Sequence, residues 1–155
     1  MTAGRDDLGF VLAKAMQRWN ELLAERFAAA GYPEVRPSYG SVLLPLYEED
    51  GLRMGELATR ARLSKQTMTQ LIGRLERDGL VERRPDPSDG RATRIYLTNR
   101  ARSFEPVVAD VLAELDRLVH RRLSADRLAT LQSSLQELTE IGRQAGGHPR
   151  PEAIN

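Results

Sequence analysis

The sequence contains no cysteine among its 155 residues. That removes disulfide staples, thiol nucleophiles, thiol redox sensing and cysteine-ligated zinc together. Its two histidines, His120 and His148, are too few for a metal cluster. No paired histidine and carboxylate, nucleophile elbow or phosphate-cradling glycine loop occurs, so neither an enzyme nor a cofactor is expected. Long apolar runs are missing as well. The longest, Val42 to Tyr47, is six residues and includes Pro45, and nothing of that length spans a bilayer. The opening Met-Thr-Ala-Gly-Arg-Asp-Asp lacks the apolar centre of a secretory signal, which points to a cytoplasmic protein.

What is abundant points to helices. Leu, Arg, Ala, Glu and Lys make up 75 of the 155 residues, a surplus of strong helix formers. With 41% hydrophobic and 29% charged residues the chain is expected to fold, as one domain or two small lobes on shared helices. The net charge of +1 hides an asymmetry: residues 51–102 carry 12 basic and 6 acidic side chains, and the remainder is net acidic. A basic middle between acidic flanks is either a localised surface for a polyanion or an ordinary solvated face.

Periodicity divides the chain. From Leu8 to Phe27 apolar positions recur every three or four residues, predicting an amphipathic helix that Gly31-Tyr32-Pro33 ends. A second helix is expected from about Arg36 to Gly51, kinked or shortened at Pro45, whose nitrogen has no hydrogen to donate. Met54 to Ala61 reads as a short helix and Arg62-Leu63-Ser64 as a tight turn with Ser64 as N-cap. Lys65 to Asp78 is then a helix stopped by Gly79. Its residues Met68, Leu71, Ile72 and Leu75 form one apolar stripe. The opposite face centres on Gln66, Gln70, Gly73 and Arg77, with Thr69 and Arg74 beside it. This is a helix–turn–helix pattern whose second helix presents base-reading side chains.

After Gly79 the period becomes two. Leu80–Arg84 and Arg91–Leu97 read as strands joined by a turn over Pro85–Gly90, a hairpin carrying Arg83, Arg84, Arg91 and Arg94. That turn lacks the spacing and closing glutamate of a calcium loop. Thr98 caps a long helix over residues 99–122, kinked or delayed at Pro106. Ser124 caps a last helix with Leu128, Leu131, Leu135 and Leu138 on one seam. Residues 146–155 have no apolar pattern and read as a disordered tail. The expected fold class is mainly α with a small β-hairpin wing (α+β). A winged helix–turn–helix lobe covers 36–98, and a helical dimerisation lobe draws on 1–35 and 99–145.

Five segments carry a resemblance. They are Gly55-Glu56-Leu57-Ala58, Leu63 through Thr69, Leu75 through Arg83, Asp86-Pro87-Ser88-Asp89-Gly90-Arg91 and Leu97-Thr98. Together they resemble the MarR (multiple antibiotic resistance regulator) family of winged helix–turn–helix transcription factors. The likeness follows element order over about residues 8–145 and is sharpest over 54–98. The family usually has a glycine three positions after that threonine, where this chain has Ala101. The resemblance implies a homodimeric, ligand-responsive regulator, usually a repressor, on a pseudo-palindromic operator. It implies that Arg91 enters the minor groove while Asp89 orients it. It also implies a small, often anionic aromatic effector bound between the dimer helices and the DNA-binding lobe. Arg18, Trp19 and Tyr39 occupy comparable places there.

The side chains themselves fit double-stranded DNA as a partner. Ser64 and Lys65 open the reading helix, Gln66 and Gln70 offer amides to adenine or backbone, and Thr67 and Thr69 suit a thymine methyl or a phosphate. Arg74 and Arg77 suit phosphates, which position without specifying. A narrow A·T minor groove attracts an arginine such as Arg91, although a simple Asp89–Arg91 hairpin ion pair is the plainer alternative. Trp19 and Tyr39 read equally as core or interface residues. The apolar seams of the first, fifth and sixth helices exceed what a monomer this size covers, which predicts pairing about a two-fold axis. A winged-helix protein–protein module without a regulatory DNA site is the alternative function. It would present an apolar or acidic wing, where this one carries four arginines.

Overall fold

A computed structural model describes residues 7–143. The tail read as disordered from Gly146 lies outside the described residues. Among those described, no helix is long and apolar enough to cross a membrane. The chain divides into two compact units, one up to Leu112 and one from Ala113 onward.

In the first unit, α1 (Leu8–Ala29) is capped by Asp7, whose carboxylate accepts the Phe10 N–H at 3.2 Å. A single 3-10 turn, Pro37–Tyr39, leads directly into α2 (Gly40–Glu48). Pro45 lies inside α2 without ending it. Val42, Leu43 and Leu46 on either side are fully buried, and each contributes roughly 1.5–3 kcal/mol, against about 1 kcal/mol for the missing hydrogen bond. Next come β1 (Leu52–Arg53), α3 (Met54–Ala61), α4 (Lys65–Arg77), β2 (Val81–Asp86) and β3 (Asp89–Leu97).

The sheet has three strands in the order β1-β3-β2, all antiparallel. Two features depart from the sequence reading. Strand β1, only two residues long, pairs Leu52 with Ile95 and Arg53 with Arg94, and no periodicity can show so short an element. The hairpin also runs further than expected. Pro85 and Asp86 remain in β2, Asp89 already belongs to β3, and a register shift at Pro85/Asp86 absorbs the proline.

Gly51 shows why the chain can enter this sheet. It adopts φ +75°, and a Cβ there would lie 2.7 Å from the Tyr96 ring. Only glycine meets both demands. Beside it Asp50 accepts the backbone N–H groups of Gly51 and Leu97 at 3.0 and 2.9 Å and pairs with Arg102 at 2.7 Å.

Helix α5 (Asn99–His120) runs without a break through Pro106. Its start is capped by Thr98, which accepts the Ala101 N–H at 3.3 Å and donates to the Gly79 carbonyl at 2.7 Å. Ala101 is fully buried, and its carbonyl accepts the Tyr47 hydroxyl at 2.7 Å. The compact division differs from the lobes expected from the sequence, because α1 and the first part of α5 group with the winged element. Phe104 explains this: its ring centroid stands 4.9 Å from both Phe27 and Tyr32. Arg100 adds a clamp, lying 4.0 Å over the Tyr32 ring while binding Glu34 at 2.7 Å and the Gly31 carbonyl at 2.6 Å. In the second unit the end of α5 is followed by α6 (Ala125–Thr139), whose N-cap Ser124 accepts the Arg127 N–H at 3.3 Å. No residue of α6 is buried, and Leu131 and Leu135 are exposed.

Candidate nucleic-acid interface

The candidate interface begins at the turn between α3 and α4. Arg62 ends α3 in the left-handed conformation at φ 54°, and Leu63 N–H closes back on the Ala58 carbonyl at 3.0 Å. Ser64 then caps α4, accepting from the Thr67 N–H at 3.1 Å and donating to the Thr67 hydroxyl at 2.8 Å. Met68, Leu71, Ile72 and Leu75 bury the inner face of α4. Lys65, Gln66, Thr67, Thr69, Gln70, Arg74 and Arg77 are all exposed on the other. The Thr69 hydroxyl donates to the Lys65 carbonyl at 2.8 Å and lies 3.4 Å from Met54 Sδ.

Gly73 is half-buried in α4, and a Cβ there would meet nothing nearer than the Arg83 guanidinium at 4.0 Å. Gly73→Ala should therefore stabilise the fold by about 1 kcal/mol, read as a higher midpoint in chemical denaturation. If the α4 backbone itself approaches the duplex, the same variant binds DNA more weakly despite being more stable. Equal or tighter binding removes close approach as the reason for the glycine.

The wing is organised around one buried carboxylate. Asp86 Oδ1 accepts the Ser88 N–H at 2.9 Å and the Ser88 hydroxyl at 2.7 Å. Asp86 Oδ2 accepts Arg53 Nε at 2.7 Å and Arg94 Nε at 2.9 Å. Arg94 also donates to the Gly51 carbonyl at 2.8 Å. The Ser88 donors first, then Arg53, hold the Asp86 carboxyl far below the usual carboxylate range despite its burial. A carboxyl held low stabilises the fold fully above about pH 4, where the unfolded chain's aspartate is ionised, and this is lost as pH falls through the lowered native value. The wing should thus hold unchanged from about pH 5 to 8. Amide exchange at Ser88, corrected for the intrinsic rate, should show constant protection over that range and lose it in Asp86→Ala. Retained protection in that variant would show that the carboxylate is not the anchor.

These contacts sort the wing residues. Arg94, expected at the DNA surface, is instead committed to Asp86 and Gly51. Arg84 pairs with Glu82 and lies 4.4 Å over the Tyr96 ring. Arg83 stands 3.5 Å from Glu76. Arg91 is exposed, and among the described residues its guanidinium has no carboxylate partner. Asp89 does restrain Arg91, but through its backbone N–H, accepted at 3.0 Å, rather than through the guanidinium. Sequence reasoning missed Arg53, hidden in the two-residue β1.

Between α4 and the wing lies an open trough of about 710 Å³, bordered by Arg53, Lys65, Thr69, Arg83 and Arg91, with Glu56 at its edge. The start of α4 and the tip of the wing thus face one concavity. At the other end of α4 a second cleft, of about 380 Å³, is formed by Arg36, Tyr39, Arg74, Arg77 and Asp78.

The expected effector residues are not brought together. Arg18 is exposed and ion-paired with Glu21 at 3.2 Å and Glu25 at 3.6 Å. Trp19 is half-buried. Tyr39 is buried, and its hydroxyl donates to Asp78. Burial and that carboxylate push the Tyr39 phenol up to about 12, so it stays a neutral donor. None of the three borders the apolar cavity of about 90 Å³, which is lined instead by Leu23, Phe27, Val35, Tyr47, Phe104 and Leu112, with Arg36 at its edge. On α1 the cavity face begins one turn after Trp19. On α2 it is lined by Gly40, Leu43, Leu44 and Tyr47.

Residues 35–92 match a sequence model of the MarR family. Over 124 residues the chain is 33% identical to the HTH-type transcriptional regulator TtmR of Methylorubrum extorquens, a match covering 72% of this chain and 60% of that protein. The chain therefore spans less than two thirds of that relative. The fold is shared with the PcaV regulator of Streptomyces coelicolor, solved with its natural ligand, at TM-score 0.75 and 22% identity, covering 91% and 99% of the two chains. It is shared too with the transcriptional repressor CouR bound to a 23-mer DNA duplex, at TM-score 0.72 and 28% identity over 90% of this chain and 98% of that one.

The chain is similar to the MarR family across its helix–turn–helix and wing.

Its three-stranded sheet and α3–α4 pair are the winged helix of that family. The MarR-family match begins at Val35, so the cleft residue Arg36 and the turn after it fall inside the shared region.

Proposed function

We propose that this chain is a DNA-binding transcriptional regulator of the MarR family, a repressor that occupies a pseudo-palindromic operator as a homodimer and leaves it when a small anionic aromatic effector binds. The trough shared by Lys65, Thr69 and Arg91 carries the reading. With α4 in a major groove about 12 Å wide and Arg91 in the adjacent minor groove, the sugar-phosphate strand between them has to pass through such a concavity. The CouR complex with a duplex supports DNA binding by likeness.

Pairing rests on exposed apolar surface. In the first unit Leu8, Phe10, Val11, Leu12 and Met16 of α1 are exposed, and in the second so are Leu131 and Leu135. A second copy is the natural cover for such patches. It would hold two α4 helices about one duplex turn, roughly 34–36 Å, apart. Sedimentation at micromolar concentration should give a dimer, and a stable monomer contradicts this. Selection of bound duplexes from a random pool should return a site with two-fold symmetry. Its absence defeats the operator reading.

Effector response rests on the turn Pro37–Tyr39. Arg36, Pro37 and Gly40 border the apolar cavity, while Arg36 and Tyr39 border the cleft at the end of α4. Tyr39 is bonded to Asp78, the C-cap of α4. A carboxylate-bearing aromatic held in the cavity by Arg36 would draw on the turn that positions the reading helix. It would favour arrangements of α4 that no longer match the groove, a shift of population.

A further inference from the structure

The exposed line of α4 continues past its base-reading residues. Gln66, Gln70, Arg74 and Arg77 follow one face, and the rise from Gln66 to Arg77 is roughly 16 Å at about 1.5 Å per residue. A major groove is about 12 Å wide. If the N-terminal half reads bases, the C-terminal arginines therefore arrive at the strand bordering the groove. There they meet Arg36, which comes from outside the helix–turn–helix and the wing, in a single cleft.

Three guanidinium groups face that cleft against one carboxylate, Asp78, which already accepts the Tyr39 hydroxyl. Among the described residues no carboxylate pairs with Arg36 or Arg74. Arg77 donates to the Gly73 carbonyl at 3.3 Å, a local helix contact that leaves its charge unneutralised. Basic residues in the last turn of a helix suit its dipole, which accounts for Arg74 and Arg77 but not for Arg36. Like charges gathered around a concavity lower their mutual repulsion by enclosing an anion. The planar forks of arginine match a phosphate's oxygens.

We infer that Arg36, Arg74 and Arg77 clamp one backbone phosphate of the bound duplex, with the Tyr39–Asp78 pair as a positioning device that fixes the turn bearing Arg36 against the end of α4. The inference rests on the DNA-binding reading above and adds Arg36, from outside the reading helix and the wing, to the end of α4 as one phosphate contact. Such a contact holds register without reading sequence.

The test is the salt dependence of duplex binding by the full chain. In Arg36→Gln the slope of log affinity against log salt should fall by about 0.9 per subunit, with affinity about three- to tenfold lower on every sequence and base preference unchanged. Arg36→Lys should restore most of the slope, and Arg117→Gln, an exposed cation on α5, should leave it intact. Arg36 is exposed, so the variants are expected to fold, which a thermal melt checks. A wild-type slope in Arg36→Gln overturns the clamp while leaving DNA binding standing. A wild-type chain that shows no salt-dependent binding overturns both. Titration with inorganic phosphate separates the remaining source: saturable binding lost in Arg36→Gln, together with an unchanged duplex slope, assigns the cleft to free phosphate and defeats the backbone reading.

Discussion

Replacing Arg91 by alanine should weaken duplex binding by about tenfold for each subunit engaged and lower the salt slope by about 0.9 for each. The size of the effect follows from what the other wing arginines are doing. Arg94 is closed on Asp86 and Gly51, and Arg84 on Glu82 and Tyr96. Arg91 is the exposed wing cation that faces the trough with no carboxylate on its guanidinium among the described residues. Its N–H is fixed by Asp89, so the backbone is set before DNA arrives and little ordering is left to oppose binding. The loss should be larger on sites flanked by A·T runs, whose narrow minor groove holds an arginine more strongly. Fluorescence anisotropy across a salt series checks both numbers. An unchanged slope takes Arg91 out of the interface. Arg94→Ala gives the contrast, because it should act through a loosened wing and raise amide exchange at Ser88.

The largest stability change is expected from Phe104→Ala, at about 3–5 kcal/mol. Phe104 is 1% exposed, joins the rings of Phe27 and Tyr32, and forms part of the apolar cavity wall. Its removal would therefore enlarge a space that already exists, where surrounding side chains have little prospect of collapsing inward. The melting temperature should fall by roughly 10 °C or more. Benzene, which fills dry apolar cavities, should recover part of the loss. A cost under about 1 kcal/mol would mean that the site relaxes and that the cavity is not a rigid feature of the fold.

Local grammar made most of the fold legible. Ser64 as a cap, the four-residue apolar stripe from Met68 to Leu75 and a glycine at position 79 define α4 on sequence alone, and the structure gives that glycine φ +73°. Helix α3 likewise begins and ends where its periodicity does. What escaped was decided by distant partners. Strand β1 exists because Ile95 and Arg94 are there to pair with it. Pro45 reads as a kink or shortening and Pro106 as a kink or late start, yet packing on both sides of Pro45 carries α2 through, and α5 starts at Asn99 and runs on past Pro106.

The candidate site was legible to the same degree. Residue types on α4 and the basic hairpin could be read directly, because exposure on a helix face follows from spacing. Which arginines were already taken could not. Asp86 lies 33 positions from Arg53, and Arg94 reaches 43 positions back to Gly51. The Arg18, Trp19 and Tyr39 grouping came from the resemblance rather than from contacts legible in the sequence. The apolar cavity is lined by other residues, Leu23 and Phe27 on α1 and Leu43, Leu44 and Tyr47 on α2.

The hub at Asp86 has a bearing on how the protein could be retuned. An arginine already locked to an internal carboxylate displaces no counterion when DNA docks, so a formal tally of the hairpin exaggerates its grip. Affinity held in reserve this way can be released by altering the acid instead of adding a base. Neutralising Glu82 would free Arg84 without touching the turn, whereas neutralising Asp86 would free two cations and lose the scaffold that aims Arg91.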